Sequence, residues 1–76
     1  MTVTDTNTLI EKAKSRNDGV YSYKGYYWAA KNNRFVAFVS HYGECFQVFG
    51  SFNVKIGECK ESYLRKQKLK EHLKAM

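Results

Sequence analysis

Eleven of the twelve aromatic residues lie between Tyr21 and Phe52, and the outlier is Tyr63. The stretch has no proline, and glycines at 19, 25, 43, 50 and 57 divide it and mark its borders. Short runs of aromatic and β-branched residues between turn-formers are a strand-and-turn pattern. A chain of 76 residues forms one domain with one thin core. About half of the rings must therefore build that core. The length excludes a pair of dinucleotide-binding units, a TIM barrel and a kinase.

The spacing predicts an α+β domain. A small antiparallel β-sheet of three to five short strands is expected, with a short N-terminal helix and a basic C-terminal helix. Thr8 and Glu11 have the spacing of a capping box, which places the first helix over Leu9 to Arg16 and leaves residues 1–6 frayed. Asn17-Asp18-Gly19 stops it. Strands follow at Val20–Tyr23, Tyr26–Lys31, Phe35–Ser40, Cys45–Phe49 and Ser51–Ile56, with Asn32-Asn33 as a hairpin turn. Strict alternation puts Phe35, Ala37 and Val39 on one face of the third run, and Val36 and Phe38 on the other. Both faces are apolar, so this strand is expected to be central and covered twice. The last strand reads as an edge, which makes a homodimer by sheet extension an expectation.

Glu58 and Glu61 then open a helix and Lys66, Lys68, Lys70 and Lys74 close it, an order that suits the helix dipole. On a helical wheel Cys59, Tyr63, Leu69, Leu73 and Met76 share a stripe of roughly 140°. Lys66 and Lys70 interrupt that stripe, so loose docking through Cys59, Tyr63, Leu69 and Leu73 is expected, with the last turns projecting.

The net charge is +6 and uneven. Residues 1–18 sum to zero, 19–54 to +2 and 55–76 to +4. A basic tail attracts nucleic acid, an acidic protein surface or an anionic membrane. The membrane is the poorest fit, because the apolar stripe is broken by lysines and lacks Trp or Phe. No apolar run approaches a membrane span, and the first ten residues do not read as a signal peptide. A cytoplasmic location is expected. Cys45 and Cys59 read as small buried hydrophobes of a reducing compartment, with a Cys45–Cys59 disulfide as the alternative.

Motifs of chemistry are sparse. The seven acids do not form a facing pair of the kind that cleaves glycosides. Nucleotide-binding glycine loops and a nucleophile elbow are missing. His41 and Cys45 have the spacing of a zinc pair, but Cys59 and His72, with about twelve residues between them, do not supply the second pair. An enzyme, a cofactor and a metal are therefore not expected.

The sharpest signal is the interleaving of rings and cations: Tyr21, Tyr23, Lys24 and Tyr27, then Lys31, Arg34 and Tyr42. Binders of single-stranded nucleic acid stack bases on rings and track phosphates with cations. Arg65, Lys66, Lys68, Lys70 and Lys74 add a second route, along phosphates or into a groove, with Gln67 as the best base-reading candidate. Lys24-Gly25-Tyr26-Tyr27-Trp28 followed by Phe38-Val39-Ser40-His41-Tyr42 slightly resembles the paired binding strands of cold-shock domains. That resemblance implies a five-stranded OB-type barrel. It covers about 19 residues, and Tyr27 and the extra Ser40 depart from the pattern, so no family is assigned. Two functions are expected at equal weight. One is a small basic nucleic-acid-binding protein acting by backbone charge and aromatic stacking. The other is a non-enzymatic regulator or inhibitor that binds and masks a larger partner protein.

Overall fold

The computed structural model describes residues 1–76. Helix α1 spans Val3–Ala13, strands β1 to β5 span Gly19–Tyr23, Tyr26–Lys31, Arg34–Val39, Glu44–Phe49 and Phe52–Glu58, and helix α2 spans Ser62–Ala75. The strands form one antiparallel sheet in the order β1-β2-β3-β4-β5. This is the α+β fold the spacing predicts. It is an open meander rather than a closed barrel, so the cold-shock likeness does not extend to architecture. No helix is long and apolar enough to cross a membrane.

The hairpins follow from local chemistry. Lys24-Gly25 and Asn32-Asn33 all have positive φ, from 48° to 81°. Such turns have the twist that matches flanking strands. Asp18 adds a clamp, its carboxylate accepting the Asn32 backbone N–H at 2.8 Å.

The two helices cover opposite faces of the sheet. On one face Leu9 and Ala13 of α1 pack against Trp28, Ala30, Phe35 and Phe38. On the other, Leu69 of α2 packs against Ala29, Ala37, Val39 and Cys45. Strand β3 is central and covered on both faces, as expected. Its alternation is not regular, because Ala29 pairs with Ala37 while Ala30 pairs with Phe35. Val36 is the extra residue of a β-bulge. Phe35 and Phe38 thereby share the α1 face, and Val36 joins Ala37 and Val39 beneath α2. The expectation of strict alternation is corrected by that one residue.

Both helices differ from expectation at their ends. Helix α1 begins at Val3, because Thr2 and Asp5 form the capping box: Thr2 Oγ1 accepts the Asp5 N–H at 3.1 Å. Thr8 instead donates its hydroxyl to the Thr4 carbonyl within the helix. At the other end of the chain Glu58 closes β5, and Glu61 is the N-cap residue of α2 without a side-chain cap bond. Helix α2 docks through Leu69, its only buried residue, and half-buried Leu73. Half-buried Arg65, Lys68 and His72 complete that side. Tyr63 is 67 % exposed, so the packed side is turned by roughly 80° from the apolar stripe. The stems of Arg65 and Lys68 supply the missing cover, since long cationic side chains bury methylenes and keep their heads in water.

Candidate nucleic-acid interface

Turning α2 in this way sorts its cations onto two flanks. Tyr63, Lys66, Gln67, Lys70 and Lys74 fall within about 100° of arc on one flank. That flank borders an open groove of about 550 Å³ lined by Tyr27, Ser62, Tyr63, Lys66, Gln67 and Lys70. A second hollow continues it through Lys70, Leu73 and Lys74 to Lys31 and to Asp18-Gly19 at the start of β1. Lys66, Lys70 and Lys74 stand at four-residue intervals and span roughly 12 Å along the helix. The four ion pairs of the chain engage Lys14, Lys24 and Lys55. Every cation of α2 is free of a carboxylate partner.

Lys68 lies on the other flank. Its side chain covers Gly57, where an added Cβ would meet the Lys68 Cε at 2.7 Å. It also borders Ile56, Glu71 and His72. Burial, with Lys68 adding to it, holds His72 below the usual imidazole range. Arg65 donates from Nη2 to the Lys60 carbonyl at 2.9 Å, which holds its head near the start of the helix.

The sheet aromatics do not form one platform. Tyr21 and Tyr23 pack on the α1 face, whereas Tyr27 packs on the α2 face. Tyr21 lies 5.1 Å from Trp28, donates its hydroxyl to the Asn17 carbonyl and has Arg16 over its ring at 5.0 Å. Lys12 and Lys24 stand over Tyr23 at 5.6 and 5.4 Å. Lys24 also pairs with Asp5 at 3.2 Å. Tyr42 is exposed on the β3–β4 turn beside His41, with ring centroids 4.1 Å apart. Arg34 is exposed at the β2–β3 turn and lines a cleft with Lys14 and Phe35. Lys31 Nζ donates to two carbonyls at the C-terminus of α2.

The structure thus brings Tyr27, Lys31, Lys66, Lys70 and Lys74 to one track. It leaves Tyr21, Tyr23, Lys24, Arg34, Tyr42, Arg65 and Lys68 elsewhere. Tyr63 and Ser62 are additions that sequence reasoning missed. The available signal was the helical arc that Tyr63 shares with Lys66, Lys70 and Lys74, which hydropathy had assigned to packing. Cys45 and Cys59 are free thiols, and no group of three His, Cys, Asp or Glu side chains converges as a metal site would require. Comparison with family models, curated proteins and solved structures finds no match for this chain.

Proposed function

We propose that the chain binds nucleic acid along the α2 groove. Lys66, Lys70 and Lys74 track consecutive phosphates, and Tyr27 and Tyr63 offer ring surface to a base. The observation that carries the reading is the row of three lysines without carboxylate partners beside a groove holding two tyrosines. Phosphate neutralisation by lysine supplies most of non-specific affinity through counterion release. The division of the other rings between two faces favours a mode led by charge, with stacking in a minor part.

The second reading keeps the groove for an acidic protein surface, with the chain acting as a regulator or inhibitor that masks its partner. It is favoured by the scarcity of base-reading groups, which are Gln67 and Ser62 alone. A lysine ammonium is a point charge that accepts carboxylate as readily as phosphate.

Fluorescence anisotropy with labelled single-stranded DNA, duplex DNA and RNA tests the first reading. Changing Lys66, Lys70 and Lys74 together to Gln is expected to flatten the log–log salt slope by about 2, at ~0.7 per phosphate on a single strand. A salt slope that the triple change leaves unaltered overturns it and leaves the regulator reading.

A further inference from the structure

The α2 face of the sheet is only partly covered. Helix α2 packs over β1 to β4 and reaches β5 only near Ile56 and Gly57. Beyond that point Phe49, Phe52 and Val54 are 52 %, 75 % and 47 % exposed. Phe49 is the cross-strand partner of Phe52, and Val54 is two residues further along β5. All three point to the same face. They form a continuous apolar strip next to the open backbone edge of β5, the longest strand of the sheet.

We propose that a second copy of this chain joins this edge, by antiparallel pairing of β5 with β5 about a two-fold axis normal to the sheet, which sets the two apolar strips side by side on one face. Such an axis keeps each face of the sheet on its own side, so a residue can oppose only residues of its own face. With Val54 on the axis, Phe52 faces Ile56 of the partner subunit and Asn53 faces Lys55 of the partner subunit. Apolar residues then meet apolar residues, and no like charges are opposed. Moving the axis to Lys55 sets two lysines against each other. Moving it to Asn53 sets Lys55 and Ile56 against the turn residues Ser51 and Gly50, and moving it to Ile56 puts the bulge itself on the axis. The bulge that places Ile56 outside the β4 pairing limits the ladder to the segment from Phe52 to Ile56.

Charge points to the same edge. The chain carries +6, so self-association needs a surface where charge is balanced. Lys55 is neutralised by Glu58 and by Glu44, the latter at 3.8 Å. The opposite edge, β1, lies beside the lysine-rich flank of α2, where two copies would repel. The exposed parts of Phe49, Phe52 and Val54 amount to roughly 300 Å² of apolar surface per copy. A standard complex buries about 800 Å² per partner, so a weak dimer that dissociates on dilution is expected.

Sedimentation velocity on the full chain, from about 5 to 500 µM, is expected to move from monomer to dimer and stop there. Val54→Lys puts like charges on the axis at a half-exposed position, and is expected to give a monomer with unchanged circular dichroism. In a second test, mild oxidation is expected to cross-link Val54→Cys into a covalent dimer, while Glu58→Cys, which faces the β4–β5 turn of the partner subunit, remains monomeric. A monomer throughout the concentration range overturns the proposal. So does a dimer that survives Val54→Lys and cross-links no better at position 54 than at 58.

Discussion

Lys31 Nζ donates to the Leu73 carbonyl at 2.9 Å, which ties the end of β2 to the last turn of α2. The same ammonium reaches the Met76 carbonyl, also at 2.9 Å. The Leu73 carbonyl also accepts the Met76 N–H at 3.4 Å, and the last carbonyls of a helix carry the negative end of its dipole. A cation supplied by the sheet complements that end, and holds down turns that the sequence suggests should project. Lys31→Met keeps the stem and removes the charge. It is expected to cost about 1–2 kcal/mol and to lower Tm by at least ~4 °C. Oligonucleotide affinity is expected to change far less than in the Lys66/Lys70/Lys74 variant. Thermal unfolding beside anisotropy separates the two roles, and an unchanged Tm would refute the anchoring one.

Gly43 sits where the β3–β4 turn meets the end of β5. Its φ is +88° and a Cβ there would run into the Cys59 carbonyl. Its own carbonyl accepts the Cys59 N–H at 2.7 Å. Gly25 has a similar φ of +81°, with open space around an added Cβ. Gly25→Ala is expected to cost about 1 kcal/mol from backbone conformation alone. Gly43→Ala is expected to cost about 2 kcal/mol more, since the backbone of Cys59 must move. Urea unfolding of both variants isolates the close approach from the backbone term. Equal losses would show that the turn relaxes freely.

Stability is expected to fall in acid through two surface carboxylates. Asp5 is held below its ordinary value of 3.8, first by the Thr2 side chain and then by the Lys24 ammonium. Glu58 is held below 4.5 by Lys55. A depressed carboxylate contributes in full above its unfolded pKa and loses that contribution as pH falls through its folded pKa. Asp5→Asn is therefore expected to be less stable than the parent near pH 7, with the gap closing by about pH 2. Urea midpoints over that range check it, and a gap independent of pH would place the effect in the helix cap rather than in charge.

The two thiols are expected to react in a fixed order. Burial, with Cys59 nearby, pushes Cys45 up to about 11, and burial also raises Cys59. A raised thiol stays protonated and unreactive near neutral pH. Cys45 is fully enclosed and Cys59 lies half-buried. Alkylation at about pH 8, followed by peptide mass spectrometry, is expected to mark Cys59 first and Cys45 only with unfolding. Equal rates in the native protein would mean that β4 and β5 separate locally.

Strand positions were legible because turns are local. Asn32-Asn33 and Lys24-Gly25 carry their backbone preferences in their own side chains, or in the lack of one. The start of α1 was misplaced because Thr2 and Asp5 compete with Thr8 and Glu11 for the same capping pattern. Nothing local ranks the two, since the choice depends on how many turns can pack on the sheet. The groove was half legible. Lys66, Lys70 and Lys74 share an arc that any helical wheel reveals, yet Tyr63 was drawn into the core by its hydropathy.

By itself the sequence determined an α+β fold, a central third strand with two apolar faces, and a positive charge gathered on the last helix. Each follows from composition or short-range periodicity, which need no partner to be read. Tertiary structure alone decided which rings share a face. A bulge at Val36 moves Phe38 onto the same side as Phe35, and one helix on each side of the sheet separates Tyr21 and Tyr23 from Tyr27. It also decided which side of α2 is buried, because the stems of Arg65 and Lys68 compete with Tyr63 for the sheet. Such choices are settled by packing between distant segments, where one extra residue or one longer stem reverses an assignment that pattern alone would make.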